Sequence, residues 1–497
     1  MPGKDQRPLP RFAGAQVAVV ASIVTAGLLV FDVRYGYLRD ELYFRMLRDH
    51  LDWGYFDQPP LVPFLAWAGT EIFGDNLRAL WVWSPIAVGV YIVLAGLVAR
   101  ELGGGRRAQV LAAAAAGTTP WVLGIGHYLI TNVFDLPLWT AAILCAVRAL
   151  RRGDGRWWLA VGAACGLATY NKYLIVLLPL ALLAGLLLAG PRRVFLDRWL
   201  WLGLLLALVV AAPNLLYQAA HDWPQLTMAG ALAEDRGTEF RAIYVRDQFL
   251  FFPGPPLAVL WLAGWVRLLR DRTLRAFAVG TLFCSVLVFA TGGRPDYVYS
   301  LLAFCLVAGC VVIDDWLAAV RWRRLLVGAG VAVNASIAVV AGLSVLPLEV
   351  LLRTPLPVNL AVRDSVGWPR LAEQVARVYR GLPPRDRART ILLAGNYGEA
   401  GALDLYGPRL GLPAVYSGHN ELHRFGPPPE HATTAVVVGT TEALRAEAFT
   451  ACDRAGRVDN GTGLDNREQG RPILVCRDLR RPWSQLWPKF RHSHHYG

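Results

Sequence analysis

The chain has 497 residues, of which 55% are hydrophobic and 18% charged, with a formal net charge of +13. The apolar residues come in long blocks that water-soluble domains do not contain, which excludes a soluble protein and places the chain in the membrane class. The positive charge sits in short Arg clusters between those blocks rather than on one soluble face, which excludes nucleic acid as the partner and leaves membrane orientation, with anionic lipid headgroups nearby, as its use.

A hydrocarbon core about 30 Å thick needs roughly 20 apolar residues per helix. In chain order the blocks predict helices near 12–33, 78–99, 108–125, 132–149, 157–171, 173–190, 199–216, 254–270, 276–291, 297–313 and 325–345. The first is too long for a removed leader and lacks a small-residue cleavage site, so it is read as a retained anchor. Lys4, Arg7 and Arg11 precede it; Arg100, Arg106 and Arg107 follow the second helix; Arg151, Arg152 and Arg156 follow the fourth. Arg192, Arg193 and Arg198, then Arg270, Arg272 and Arg275, then Arg321, Arg323 and Arg324 continue the alternation. Basic residues near helix ends stay in the cytoplasm. The other junctions therefore face outward: 34–76, the turn near His127, 170–172, 217–253 and 292–296.

The first outer loop, 34–76, is too long for a simple connection and too apolar for a disordered one. Leu42, Phe44, Met46, Leu47 and Leu51 alternate with Arg45, Arg48 and Asp49 at near-helical spacing, which predicts a helix lying on the membrane surface, with Trp53, Tyr55 and Trp67 at interfacial depth. Asp40 and Glu41 stand just before that helix. Acids there suit the positive end of the helix dipole, or they serve as a catalytic pair; composition alone favours capping. Farther on, Asp57-Gln58-Pro59-Pro60 puts an acid beside two prolines that forbid regular helix and fix an extended entry into the next segment. Asp57 is either a charged turn tip or the residue that holds a site open.

Later outward junctions bring cations and rings. Lys172 lies in Thr169-Tyr170-Asn171-Lys172-Tyr173 and Arg294 in Gly292-Gly293-Arg294-Pro295-Asp296-Tyr297, while the loop between them carries His221, Trp223, Arg236, Arg241 and Arg246. A Lys at a helix break is costly in lipid and is either functional or paired, so Lys172 reads as a phosphate ligand or as the partner of an acid such as Asp135.

From about residue 346 the long apolar blocks stop. Short apolar runs at 390–394, 435–439 and 472–476 among turn-rich stretches predict a small α/β domain. Asn396, Tyr397, Gly398 and Glu399 follow the first strand, where sheet-end loops bind ligands, or form an ordinary strand-to-helix turn. Five of the seven cysteines lie in apolar blocks and act as small hydrophobes. Cys452 and Cys476 lie in the tail and form one disulfide if it is extracytoplasmic. His492, His494 and His495 read as a mobile end. The domain division is 1–345, a membrane domain that includes the first outer loop, and 346–497, an extracytoplasmic domain.

Tyr37-Leu38-Arg39-Asp40-Glu41-Leu42-Tyr43 followed by Trp53-Gly54-Tyr55-Phe56-Asp57-Gln58-Pro59-Pro60-Leu61 resembles the first extracytoplasmic loop of bacterial aminoarabinose-transferase-like and protein-mannosyltransferase-like enzymes. The resemblance extends to Phe73-Gly74-Asp75, Arg100-Glu101-Leu102-Gly103-Gly104, Pro213-Asn214-Leu215-Leu216-Tyr217-Gln218 with His221 and Trp223-Pro224, and Asn396-Tyr397-Gly398-Glu399-Ala400-Gly401-Ala402. It implies the GT-C fold, an α-helical polytopic membrane protein with a small C-terminal α/β domain. It also implies an inverting glycosyltransferase of the cell membrane, working on the extracytoplasmic side. The donor would be a polyprenyl-phosphate-linked sugar and the acceptor a hydroxyl on an envelope lipid, glycan or protein. The aminoarabinose enzymes carry a Lys where this chain has Gln58, and a neutral amide does not replace a cation on phosphate, so the wider, functionally mixed family is the better assignment.

In that reading Asp40 is the base, Glu41 positions the loop or the acceptor, and Lys172, Arg294, Tyr297 and Arg246 meet the departing phosphate. Asp57, Gln58 and His221 complete the substrate-binding set. No cofactor is required; a divalent metal shared by Asp57, His221 and Glu41 is the one candidate. The alternative reading is a membrane transporter or flippase for a lipid-linked or small polar substrate, but transporters tend to show two related halves and no internal repeat is visible.

Overall fold

The computed structural model describes residues 8–31, 35–343, 345–353 and 360–493. Lys4, Arg7, His494 and His495, invoked above, and the first residue of the 34–76 segment lie outside the described residues. Contacts divide the chain into two compact units: residues 1–32, 81–220 and 236–345 form the first, and residues 33–80, 221–235 and 346–497 the second.

The first unit is helical throughout, and most predicted blocks reappear with small shifts at their ends. Among the described residues five helices are long and apolar enough to cross a membrane: Leu77–Glu101, Thr131–Arg152, Arg198–Ala220, Pro295–Ala319 and Arg321–Gly342. A sixth arises if Gly237–Phe251 and Pro255–Arg270, bent by 96°, count as one span. Gly14–Val30, Trp157–Ala168, Tyr173–Leu188 and Arg275–Ala290 are apolar but shorter. Leu204, Leu205, Leu208 and Val209 stay exposed on Arg198–Ala220, a face that only lipid makes tolerable. The chain is thus a helical polytopic membrane protein with a small C-terminal sheet.

Two predictions need correcting here. The block at 108–125 is two helices, Arg106–Gly117 and Pro120–Ile125, because Pro120 starts a new helix whose first turn is capped by the Thr119 hydroxyl accepting from the Val122 N–H. The segment 217–253, read from the sequence as an outer loop, is mostly helix, Pro224–Arg246, ending in a π turn at Asp247–Phe251; its polar face hid the helical spacing.

Close helix packing in this unit rests on reciprocal glycines. A Cβ on Gly264 would lie 1.8 Å from the Cys305 carbonyl oxygen, and one on Gly309 1.8 Å from that of Leu260. Backbone meets backbone between Pro255–Arg270 and Tyr299–Val312, the small-residue contact that membranes favour where no hydrophobic force draws helices together.

The second unit holds a five-stranded sheet in the order β2-β1-β3-β5-β4. Its strands are β1 (Thr390–Ala394), β2 (Val415–Ser417), β3 (Thr434–Val438), β4 (Phe449–Arg457) and β5 (Pro472–Leu479). β1 runs parallel to β2 and β3, whereas β5 is antiparallel to β3 and β4. β1 and β3 are buried along their whole length, hence the unbroken apolar runs legible in the sequence. β4 is an edge strand, mostly exposed and polar, and it and short β2 give no such signal. Helix Trp483–Phe490 lays Trp483, Trp487 and Phe490 on Ile391, Leu393 and Val437 to form the core on one face. Cys452 and Cys476 stand opposite each other on β4 and β5 and form a disulfide.

The segment 35–76, read from the sequence as the first outer loop, belongs to this second unit. Its helix Arg39–Leu47 buries Leu42, Tyr43, Phe44 and Leu47 against the tail helix Tyr397–Tyr406, so its apolar face is covered by protein rather than lying on a membrane. Gly401 makes this possible: a Cβ there would sit 2.7 Å from the Leu42 Cβ. The next helix, Leu61–Phe73, is the one that exposes apolar side chains, at Phe64, Trp67, Ile72 and Phe73.

Candidate active site

Helix Arg39–Leu47 begins two residues before the acid pair ends, so Asp40 and Glu41 lie in its first turn rather than ahead of it. Glu41 is fully buried and its Oε2 accepts the Leu38 N–H at 2.9 Å, closing the helix start as a capping acid does. Asp40 does something else. Its Oδ1 accepts a 2.7 Å hydrogen bond from the Tyr397 hydroxyl, and among the described residues its Oδ2 has no hydrogen bond or ion pair.

Tyr397 is held from every side. Its ring stacks on Tyr43 with centroids 4.7 Å apart and on His419 at 5.0 Å, and the Arg39 guanidinium lies 5.1 Å from its centroid. Its N–H donates to His419 Nδ1 at 3.1 Å, and His419 stacks in turn on His492. His492 is therefore ordered, contrary to expectation: its backbone N–H donates to Gly418 and its carbonyl accepts from Asn420, while its Nε2 meets the Gly395 carbonyl at 2.8 Å. A four-ring stack of Tyr43, Tyr397, His419 and His492 thus anchors the phenol that touches Asp40.

Asp57 is buried in the same unit. Oδ1 accepts from the Tyr43 hydroxyl at 2.8 Å and Oδ2 from Asn420 Nδ2 at 2.9 Å. Burial raises its pKa to about 7, against the lowering effect of the Tyr43 hydrogen bond. Beside it the Phe56 N–H donates to Glu421 Oε2 at 2.6 Å. Asp57 pins the turn to the tail, so it is not a charged tip. Gln58 is also buried, and its Nε2 lacks a hydrogen-bond partner among the described residues, a group that a bound ligand or water would satisfy.

Behind Tyr397 lies a buried charged network. Arg39 Nη2 donates to Asn396 Oδ1 at 3.3 Å and lies 4.0 Å from Glu468, while its Nη1 lies 3.9 Å from Asp364. Asn396 Oδ1 also caps Tyr397–Tyr406 by accepting the Glu399 N–H at 3.0 Å. Burial lifts Asp364 to about 6 and Glu399 to about 7, with Arg39 and Arg471 pulling the other way.

In the first unit two of the predicted cations, Lys172 and Arg294, are joined through Asn132 and Asp296. Lys172 Nζ donates to Asn132 Oδ1 at 3.5 Å, and the Asn132 amide donates to Asp296 Oδ2 at 2.6 Å. Arg294 Nε donates to Asp296 Oδ1 at 2.9 Å. Lys172 also sits 5.3 Å from the Tyr297 ring centroid. Asp135 accepts from Asn171 at 2.7 Å, within range of the Lys172 charge, and helps to line a small cavity with Lys172, Asp296 and Tyr297. Arg246 pairs with Asp247 at 2.8 Å. Gln248, next in sequence, donates to the Pro295 carbonyl at 2.8 Å, tying the π turn to the Arg294 turn.

One candidate group does not assemble. Glu41 is engaged by its own helix and Asp57 by Tyr43 and Asn420, and among the described residues no three His, Cys, Asp or Glu side chains are grouped to hold a metal ion. The divalent site proposed for Glu41, Asp57 and His221 is therefore withdrawn. Conversely, sequence reasoning missed Asn132 and Asn420, whose contacts join segments far apart in the chain, gave no role to the Tyr43 of its loop motif, and singled out Tyr397 without linking it to Asp40.

Residues 57–217 match the family described as dolichyl-phosphate-mannose-protein mannosyltransferase. An undecaprenyl phosphate-alpha-4-amino-4-deoxy-L-arabinose arabinosyl transferase of Pseudomonas savastanoi pv. phaseolicola is 29% identical over 164 residues, 32% of this chain and 31% of that protein. A lipid A galacturonosyltransferase of Rhizobium johnstonii is 24% identical over 304 residues, 57% of this chain and 61% of that protein. The chain thus spans about a third to three fifths of the length of these relatives. The crystal structure of ArnT from Cupriavidus metallidurans in the apo state superposes with a TM-score of 0.59 at 16% identity, covering 93% of this chain and 97% of that one. The same protein bound to undecaprenyl phosphate gives 0.56 at 18% identity, with equal coverage. The chain shares the ArnT fold, the GT-C architecture that the loop motifs imply.

Proposed function

We propose that this chain, built on the ArnT fold, is an inverting glycosyltransferase that moves a sugar from a polyprenyl-phosphate-linked donor to a hydroxyl on an envelope lipid, glycan or protein. The observation that carries the reading is the state of Asp40: a carboxylate with one oxygen held by a buried phenol and the other without a protein partner among the described residues. That is how a general base is presented to an incoming hydroxyl.

Asp40 takes the acceptor proton as the acceptor oxygen bonds to the anomeric carbon. The bond from that carbon to the phosphate oxygen breaks, and polyprenyl phosphate leaves with the electron pair. One displacement inverts the carbon and needs no covalent sugar intermediate. Charge grows on the departing phosphate, so Lys172, Arg294 and Arg246, with a hydrogen bond from Tyr297, favour the transition state over the ground state. The Arg294–Asp296–Asn132–Lys172 chain supports this role by fixing the two cations in one array. Glu41 shapes the start of the loop helix, Asp57 holds the turn through Tyr43 and Asn420, and Gln58 and His221 face substrate.

Eleven crossings are reached by counting the six long spans, with the bent pair taken as one, the four shorter apolar helices of the first unit and the broken helix at 106–125. The arginine alternation then puts the first outer loop and the residues after 345 outside the cytoplasm, as an α/β domain that orients the base and reads the acceptor. The cell membrane is the location this implies.

The test is radiolabelled sugar on polyprenyl phosphate, incubated with membranes holding the protein. Label appearing on an acceptor supports the reading; label that crosses the bilayer on an intact donor identifies a transporter instead. Mass spectrometry of envelope lipids and glycans with and without the protein names the sugar.

A further inference from the structure

Away from the groups used above, the first unit has an open groove of about 770 Å³ between helices Arg106–Gly117 and Arg321–Gly342. Arg106, Arg107 and Arg324 lie along it, while Val110, Leu111 and Val331 form apolar wall. The three guanidiniums share the groove with one carboxylate, Asp314, which is engaged by the Gly105 N–H at 2.6 Å. Arg324 donates to the Leu317 and Ala318 carbonyls. Arg106 donates to the Gln16 side-chain oxygen at 2.9 Å. Arg107 is exposed and has no hydrogen bond or ion pair among the described residues. The wall has room: a Cβ on Gly328 would meet nothing within 4 Å.

Uncompensated cations beside an apolar shaft, in a helix bundle that sits in lipid, match one kind of molecule. We infer that this groove holds an anionic phospholipid of the surrounding bilayer, its headgroup phosphate on Arg106 and Arg107 and an acyl chain along the wall past Gly328. Guanidinium binds phosphate oxygens in forked pairs, and juxtamembrane basic residues select anionic over zwitterionic lipid. The site is independent of the transfer reaction and involves none of its residues.

The experiment is native mass spectrometry of the full chain exchanged into phosphatidylglycerol, phosphatidylcholine or polyprenyl phosphate. Wild-type protein is expected to retain phosphatidylglycerol at least about tenfold better than phosphatidylcholine. Arg106→Gln/Arg107→Gln is expected to abolish that preference. Gly328→Leu, a better helix former that fills the shaft without touching the charges, is expected to reduce retention with unchanged thermal stability. Equal retention of the phospholipids, preferential retention of polyprenyl phosphate, or full retention in Gly328→Leu overturns the assignment; the last would put the anion on an open basic surface.

Discussion

The Tyr397 hydroxyl donates a 2.7 Å hydrogen bond to Oδ1 of Asp40, a residue 357 positions earlier in the chain. The tail domain therefore reaches the acid pair directly, and the proposed base is oriented by a phenol that is itself clamped between Tyr43 and His419. Removing only the hydroxyl, Tyr397→Phe, keeps the stack but frees the carboxylate. A hydrogen bond to a charged group is worth about 1.5–3 kcal/mol, so kcat should fall roughly tenfold or more with the donor KM unchanged. Asp40→Asn should cost at least about a hundredfold while donor binding persists. Full activity in Asp40→Asn removes that residue from the mechanism, and a Tyr397→Phe effect confined to KM would make the contact structural.

Stability of the second unit should depend on pH. Burial raises Asp57, Asp364 and Glu399 to about 7, about 6 and about 7, from ordinary values of 3.8, 3.8 and 4.5. Between those limits the folded unit keeps protons that the unfolded chain has released. Its stability is complete below the ordinary values and falls as pH rises through the folded ones. The thermal midpoint of this unit should be higher near about pH 5 than near about pH 8. Asp57→Asn should narrow the gap, because the Asn420 amide can turn its buried, unpartnered Oδ1 to accept from the new side chain. A midpoint flat across this window refutes the argument.

Gly401 is where the loop helix and the tail helix touch. Because a Cβ there would lie 2.7 Å from the Leu42 Cβ and 2.8 Å from the Leu42 carbonyl oxygen, Gly401→Ala must push the helices apart. Overpacking of this kind costs about 1–3 kcal/mol. A lower unfolding midpoint, together with lost transfer activity from a displaced Tyr397, is the expected pair of readouts; an unshifted midpoint means the helices have room to slide.

The Cys452–Cys476 disulfide closes a loop of 24 residues between the exposed edge strand and β5. Cross-links of this loop size contribute about 2–4 kcal/mol. Cys452→Ser/Cys476→Ser should therefore lower the unfolding midpoint of the tail and raise hydrogen exchange along β4, with the membrane helices unaffected. Equal exchange in the two proteins would show that the pairing of β4 with β5 stands without the bond.

Much of this architecture was legible from composition. Lipid imposes a length and an apolarity on every helix that crosses it, so blocks such as 199–216 and 325–345 announced themselves, and fully buried β1 and β3 did the same as unbroken apolar runs. The Asp40-Glu41 and Asp57-Gln58-Pro59-Pro60 motifs, the cations Lys172 and Arg294, and the cysteine pair were also visible, because each is a local departure from its surroundings. Tertiary structure alone decided what these groups touch. It made Glu41 a capping acid and left Asp40 available, turned Asp57 from a turn tip into a buried anchor, and brought His492 into a ring stack. Hydrogen bonds between residues hundreds of positions apart leave no periodicity in the chain: spacing records which face of an element is buried, while the identity of the partner depends on how distant segments pack.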